Sequence, residues 1–264
     1  MTRRVGKSHA KRRTPPGAAP GTLIADPTAV QTSIDMIGYG KDQIFERQGV
    51  SIDDIRTVKG TVPVLWINAS GLADIECIRT LGDLFGLHSL ALEDVINVHQ
   101  RPKAEEYENH VFVVTRMILA SRHVETEQVS LFVGDGFILT FQERSGDCFE
   151  PVRERLRRHK GRIRDFGTDY LAYALIDAVI DAYFPVLERY GERLEELEDA
   201  VISHPSPELI AKVHSMKRDL LSLRRAIWPH REMINMLIRD ETTLVTDQTR
   251  LYIRDCYDHT IQLM

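Results

Sequence analysis

Residues 110–142 read HVFVVTRMILASRHVETEQVSLFVGDGFILTFQ. Apolar runs at His110–Leu119, Thr126–Val133 and Gly136–Gln142 are rich in the β-branched and aromatic residues that suit a pleated surface. Gly134-Asp135-Gly136 separates the last two, and these residue types tolerate the positive φ of a tight hairpin turn. The stretch predicts three strands close together, joined by hairpins.

Upstream, Thr61–Asn68 (TVPVLWIN) is another apolar run closed by Ser70-Gly71, a strand followed by a turn. Ala73–Phe85 carries Ile75, Ile78, Leu81, Leu84 and Phe85 at helical spacing, and His88–Asn97 is a short helical stretch. Some strands are thus joined by hairpins and others by helices, which predicts a mixed sheet and an α/β class. Downstream the character changes. Phe149–Arg164 reads as a basic helix, and Thr168–Ile202 as one long amphipathic helix with Tyr170, Tyr173, Ala174, Asp177, Asp181, Phe184 and Glu188 at helical steps. Ser203-His204-Pro205-Ser206-Pro207 breaks it, and a second helix runs from Pro207 to about Ile238, kinked by Pro229. So short a connection predicts an antiparallel helical hairpin. A third helix starts near Thr246, with Tyr252, Cys256, Thr260 and Leu263 on one side. Met264 follows with no Gly, Asn or Pro to close it, which reads as a helix cut while still periodic. The expected organisation is a basic leader over 1–21, an α/β unit over 22–166 and a helical unit over 167–264.

Of 264 residues, 43% are hydrophobic and 28% charged, the balance of a chain with a buried core. The most apolar stretch, Leu171–Leu187, holds Asp177 and Asp181 in its middle, which argues against a membrane span. Cys77, Cys148 and Cys256 are far apart and match no zinc or redox spacing, so they read as reduced thiols. The first residues, MTRRVGKSHAKRR, lack the apolar centre of a secretory signal. The net charge of -5 is uneven: Arg3, Arg4, Lys7, Lys11, Arg12 and Arg13 leave 28 basic against 39 acidic side chains for the rest, a net of -11. A body so acidic repels nucleic acid and attracts cations.

No Gly-rich phosphate loop, GxSxG elbow or HExxH motif is present, so enzyme chemistry finds little footing. The acids say more. Glu93-Asp94 ends a short helical stretch, Asp177 lies on an apolar helical face, and Asp255 and Asp258 are three apart on the last helix. By spacing alone each has a plain alternative: a helix cap for Glu93 or Asp94, an ion pair for Asp177, a solvated face for Asp255 and Asp258. Glu192, Glu195, Glu196, Glu198 and Asp199 at the hairpin tip likewise suit a solvated face, or a loose cation reservoir. A soluble metal-dependent hydrolase built on Glu93, Asp94 and His99 is the competing reading from another class.

The stretch LEDVINVHQRPKAEEYENHVFVVTRM (92–117) resembles the CorA family of magnesium transport proteins, in its intracellular part. So do EQVSLF, FQERSGDCFEPVRERLR, TDYLAYALIDAVIDAYFPVLE, KRDLLSLRRAIWPHRE and RDCYDHTIQ, which follow in family order from about Pro20 to the last residue. The family's YGMN signature and two membrane helices are not in this sequence, which fits a chain ending before them. The resemblance implies an α/β/α sandwich with a mixed β-sheet, then long antiparallel helices and a stalk helix. It also implies a homopentamer anchored in the inner membrane by helices that this sequence lacks, with this portion on the cytoplasmic side. It implies regulatory divalent sites between subunits for Mg²⁺, with Co²⁺ or another divalent ion as an alternative. Residue by residue, Asp94 of one subunit would pair with Asp255 of the next, and an adjacent site would draw on Glu93 and Asp177. A related zinc transporter shares the architecture, although no Cys/His cluster here favours zinc.

Overall fold

A computed structural model describes residues 17–264 apart from 120, 122, 204, 205, 240, 241 and 243. The six leader cations and two residues of the expected helix break lie outside the described residues.

The chain builds one seven-stranded sheet: β1 (Ser33–Tyr39), β2 (Ile44–Arg47), β3 (Val64–Ser70), β4 (Lys103–Glu106), β5 (His110–Ile118), β6 (Thr126–Gly134) and β7 (Phe137–Gln142), in the order β2-β1-β3-β7-β6-β5-β4. Only the β3–β7 pair is parallel; every other neighbour is antiparallel, so the sheet is mixed as expected. In the β6–β7 hairpin Gly134 pairs with Phe137, and Gly136 takes the positive φ of 74°. The strand read as Thr61–Asn68 runs two residues further and starts three later. Strands β1, β2 and β4 carry no clear pattern: two are four-residue edges with charged sequences, IFER and KAEE, and an edge strand needs few apolar residues.

Side-chain alternation sorts the sheet into two cores. Leu65, Ile67, Phe112, Val114 and Phe132 face α1 (Ile52–Val58), α2 (Ile75–Phe85) and α3 (Ser89–Ile96). Trp66, Val111, Val113, Leu131 and Ile138 face α4 (Glu150–Arg157), α5 (Thr168–Asp181), α7 (Pro207–Arg239) and α8 (Asp247–Gln262). Strands buried on both faces read as nearly continuous apolar runs, which is why 110–142 stood out. Together the layers make the α/β/α sandwich. Helix α1 went unread because its start signal is a capping box rather than an apolar stripe, Ser51 and Asp54 each satisfying the other's backbone N–H.

The helical half departs from expectation in two places. The basic helix stops at Arg157, because His159 and Gly161 turn through positive φ and Arg164 folds back to donate to the carbonyls of Leu156 and Arg157. The long helix divides: α5 ends at Asp181 and α6 (Phe184–Ser203) begins afresh. Pro185 has no N–H to give the carbonyl of Asp181, and Tyr183 turns inward to donate to the carbonyl of Arg116 at 2.6 Å. Pro229, by contrast, does not stop α7, which continues ten residues beyond it. The segment Thr168–Ser203 is long and apolar enough to cross a membrane. Helix α5 nonetheless spends its apolar side chains, among them Leu171, Leu175 and Val179, on the sheet.

Gly71, the residue after β3, holds φ 86°, and a Cβ there would meet the Gln31 carbonyl oxygen at 2.3 Å. Gly71→Ala is therefore expected to destabilise the fold by about 2 kcal/mol in urea unfolding, from φ strain and the backbone clash.

Candidate metal centre

Helices α5 and α8 lie side by side, and i,i+4 spacing on each brings acids to their shared seam. Asp177 and Asp181 are one turn apart on α5; Asp255 and His259 are one turn apart on α8. His259 Nδ1 stands 3.5 Å from Asp177 Oδ1 and 3.8 Å from Asp181 Oδ1, and its Nε2 is 3.9 Å from Asp255 Oδ2. Ligand atoms of Asp177, Asp181 and His259 all fall within 4.8 Å of one another. Asp177 is largely covered, with 16% of its side chain exposed, whereas Asp181 and Asp255 open to solvent at 56% and 64%. The floor is thus buried and the rim wet.

Asp177 Oδ1 and His259 Nδ1 are buried without a well-formed hydrogen bond. Asp177 Oδ2 accepts a long bond, 3.4 Å, from the Tyr173 hydroxyl. Burial holds the Asp177 carboxyl above the usual carboxylate range; the Asp181 charge pushes it further and His259 pulls it back. The neighbouring Cys256 thiol is driven far up, first by burial and then by the three aspartates, so it stays protonated. Three carboxylates facing one imidazole repel one another, and a divalent cation would relieve both the repulsion and the unpaired floor atoms. Carboxylate oxygens and water suit Mg²⁺; the added imidazole nitrogen also suits Co²⁺.

The other two expected residues sit across the sheet, on α3. Glu93 is 6% exposed, and its Oε2 accepts the Gly21 N–H at 2.8 Å. Asp94 accepts from Lys103 Nζ at 2.6 Å and from Gln100 Nε2 at 2.8 Å. The Lys103 ammonium stays raised: burial lowers it, but its bonds to Asp94 and Glu105 more than offset that. Within this one chain, then, Asp177 and Asp255 come together while Glu93 and Asp94 lie on the opposite layer. The two α3 acids serve different partners, which gives the hydrolase reading no converging pair. Sequence reading missed Asp181 and His259 as candidates. The signal available was the repeated i,i+4 step, Asp177 to Asp181 and Asp255 to His259.

A model of the CorA-like Mg2+ transporter protein family matches residues 64–264. The cobalt/magnesium transport protein CorA of Thermotoga maritima is 39% identical over 251 residues, which are 94% of this chain and 72% of that protein. The putative metal ion transporter YfjQ of Bacillus subtilis is 32% identical over 198 residues, 75% of this chain and 61% of that protein. Among solved structures, the soluble domain of CorA from Methanocaldococcus jannaschii superposes with TM-score 0.72 at 17% identity, covering 88% of this chain and 89% of that one. The ZntB cytoplasmic domain from Vibrio parahaemolyticus does so with TM-score 0.66 at 15% identity, covering 89% and 93%. At such identities these two speak for the fold alone.

Proposed function

Since the chain belongs to the CorA-like Mg2+ transporter protein family, we propose that it is the cytoplasmic Mg²⁺-sensing portion of a divalent-cation transporter whose protomers are held together by bound ions. In this reading Asp94 of one protomer and Asp255 of its neighbour share a hydrated Mg²⁺, and Glu93 and Asp177 support a second ion beside it. Asp94 and Asp255 stand in opposite layers of a single protomer, so a shared ion needs two protomers. The observation that carries the reading is the seam between α5 and α8, where a buried carboxylate oxygen of Asp177 has no hydrogen bond and two further acids open to solvent.

The physics is that of a removable counter-ion. Acidic protomers packed about an axis, as in a homopentamer, repel each other, and a divalent ion between their carboxylates offsets that repulsion. Mg²⁺ sheds its waters reluctantly, so few direct ligands give weak binding, which matches a sensor of an abundant ion. Loss of the ion loosens the interface and shifts a two-state equilibrium toward the open arrangement. Asp94 brings its own constraint: Lys103 already neutralises it, so the ion bridges through water or displaces the ammonium.

The test is thermal denaturation and sedimentation of this chain with Mg²⁺, Co²⁺ and Zn²⁺. Mg²⁺ at a hundredfold over its dissociation constant is expected to stabilise by about 2.7 kcal/mol and to promote association. Asp94→Lys and Asp255→Lys are each expected to abolish both responses. Unchanged melting and sedimentation in Mg²⁺, or Lys variants that respond like the wild type, would remove the sensing role. A response to Zn²⁺ alone would favour the zinc-transporter relative.

A further inference from the structure

We infer that the cleft at the carboxyl ends of β3 and β7 binds a small organic cation rich in N–H donors. These two strands are the sheet's parallel neighbours, and the chain leaves them in opposite directions: β3 leads to α2 in one layer, β7 to α4 in the other. Where adjacent parallel strands part in this way a crevice opens at their carboxyl ends, the place where open α/β sheets bind ligands. Here it is a cleft of about 320 Å³, at the lower end of the roughly 300–1,000 Å³ typical of small-molecule sites.

Its lining is polar where the same sheet face is elsewhere apolar. Along β1 the face changes from Tyr39 and Ile37 to Asp35 and Ser33; along β3 it changes from Val64 and Trp66 to Asn68 and Ser70. A polar floor on a core-facing strand end costs stability unless its groups are satisfied. Most are. Thr140 donates to Asn68 Oδ1 at 2.6 Å, and Gln142 Nε2 donates to Asn68 Oδ1 at 2.8 Å and to Asp147 Oδ2 at 3.0 Å. One group is not: Gln142 is fully buried, yet its Oε1 has no hydrogen-bond partner. That oxygen lies behind the lining residues rather than in the cleft, so it is the cleft's shape and charge that point to a ligand.

Charge gives the sign of the ligand. Asp35, Glu46, Asp147 and Glu150 line the cleft against Arg153 and Arg157. Both guanidinium forks are already spent, Arg153 on Asp147 at 2.7 Å twice and Arg157 on Glu46 at 2.8 Å twice. No fork is left for an anionic ligand, and two acids remain in excess. Among the described residues, Asp35 takes only the Gly49 N–H, at 3.0 Å. Arg153 lies over the Trp66 ring at 5.1 Å, which ties that indole to the site.

Trp66 makes the site readable, because the other tryptophan, Trp228, is exposed on α7. In a Trp228→Phe background, agmatine and putrescine are expected to change Trp66 emission saturably and to raise the melting temperature. Asp35→Asn keeps an acceptor for Gly49 and should weaken agmatine binding about tenfold. Glu46→Gln, at the rim, should act in the same direction while Arg157 keeps Glu150 at 2.6 Å. No change in Trp66 emission at millimolar amine, or both variants binding as tightly as the wild type, would overturn the proposal. So would Mg²⁺ producing the same emission change and competing with agmatine, because the cleft would then be a divalent site. The Asp94→Lys and Asp255→Lys proteins should still bind agmatine, so this outcome is independent of the ion-bridge reading.

Discussion

Replacing His230 by alanine is expected to lower the unfolding free energy by about 4 kcal/mol at neutral pH, through two unpaired donors and a cavity. His230 is fully buried where α7 crosses β5. Its Nε2 lies 3.2 Å from the Arg116 N–H and 2.7 Å from Thr115 Oγ1; its Nδ1 lies 2.8 Å from the Ala226 carbonyl. A backbone N–H only donates and a carbonyl only accepts, which assigns the tautomer. Nε2 is the acceptor and Nδ1 carries the proton. Protonation would turn Nε2 into a third donor facing two others, and burial pushes the imidazole down to about 4, helped slightly by Arg116. The folded form therefore resists a proton that the unfolded chain takes up near pH 6.5. Stability from this group is whole above pH 6.5, is lost as pH falls toward 4, and loses nothing more below that. The difference between the two values corresponds to about 3 kcal/mol. The gap between wild type and His230→Ala should accordingly shrink from about 4 kcal/mol at pH 7.5 to about 1 kcal/mol at pH 4. Urea unfolding followed by tryptophan fluorescence at both pH values measures it, and a gap independent of pH would refute the assignment.

Asp169→Ala is expected to cost about 3 kcal/mol and to loosen the start of α8 before the rest of the molecule. Asp169 is 5% exposed and serves two helix starts at once. Oδ1 accepts the Tyr170 N–H of α5 at 2.9 Å, while Oδ2 accepts both the N–H and the hydroxyl of Thr246, at 3.0 and 2.7 Å. Thr246 in turn caps α8 by accepting the Thr249 N–H. Without the carboxylate, buried donors at both helix ends lose their acceptor, and the positive ends of two helix dipoles lose their anion. Asp169→Asn retains an acceptor and should cost about 1 kcal/mol. Hydrogen exchange would read the local part: amides of Arg250–Ile253 should lose protection in Asp169→Ala while those of β5 and β6 keep theirs. Equal loss throughout would mean that the carboxylate contributes only to global stability. Because α8 carries Asp255 and His259, the same variant should also blunt the Mg²⁺ response.

Patterns that depend on local spacing were legible without the fold. The hairpin at Gly134–Gly136 follows from residues that accept its dihedral angles, and the start of α8 near Thr246 follows from the helical spacing of Tyr252, Cys256 and Thr260. Strands β3, β5, β6 and β7 show in the sequence because burial on two faces fills their centres with β-branched and aromatic residues. Where context decides, reading along the chain fell short. The division between α5 and α6 rests on Pro185 acting together with a contact from Tyr183 to β5, and nothing before Tyr183 signals a partner 67 residues away. Pro229 carries the same intrinsic cost, yet α7 runs on because packing on both sides of it outweighs one lost hydrogen bond.

The candidate metal centre divides along the same line. The sequence by itself determined which acids exist and that Asp177 must lie on an apolar helical face, since a 3.6-residue period leaves it no other. It also determined the family, through long runs such as residues 92–117 and 254–262. Only the tertiary structure decided that α5 and α8 meet along the side bearing Asp181 and His259, that Glu93 answers to the Gly21 amide, and that Asp94 is held by Lys103. The physical reason is range. Helical periodicity fixes neighbours within four residues, whereas the seam between α5 and α8 joins groups some 80 residues apart, and only the burial of both helices on one sheet brings them into contact.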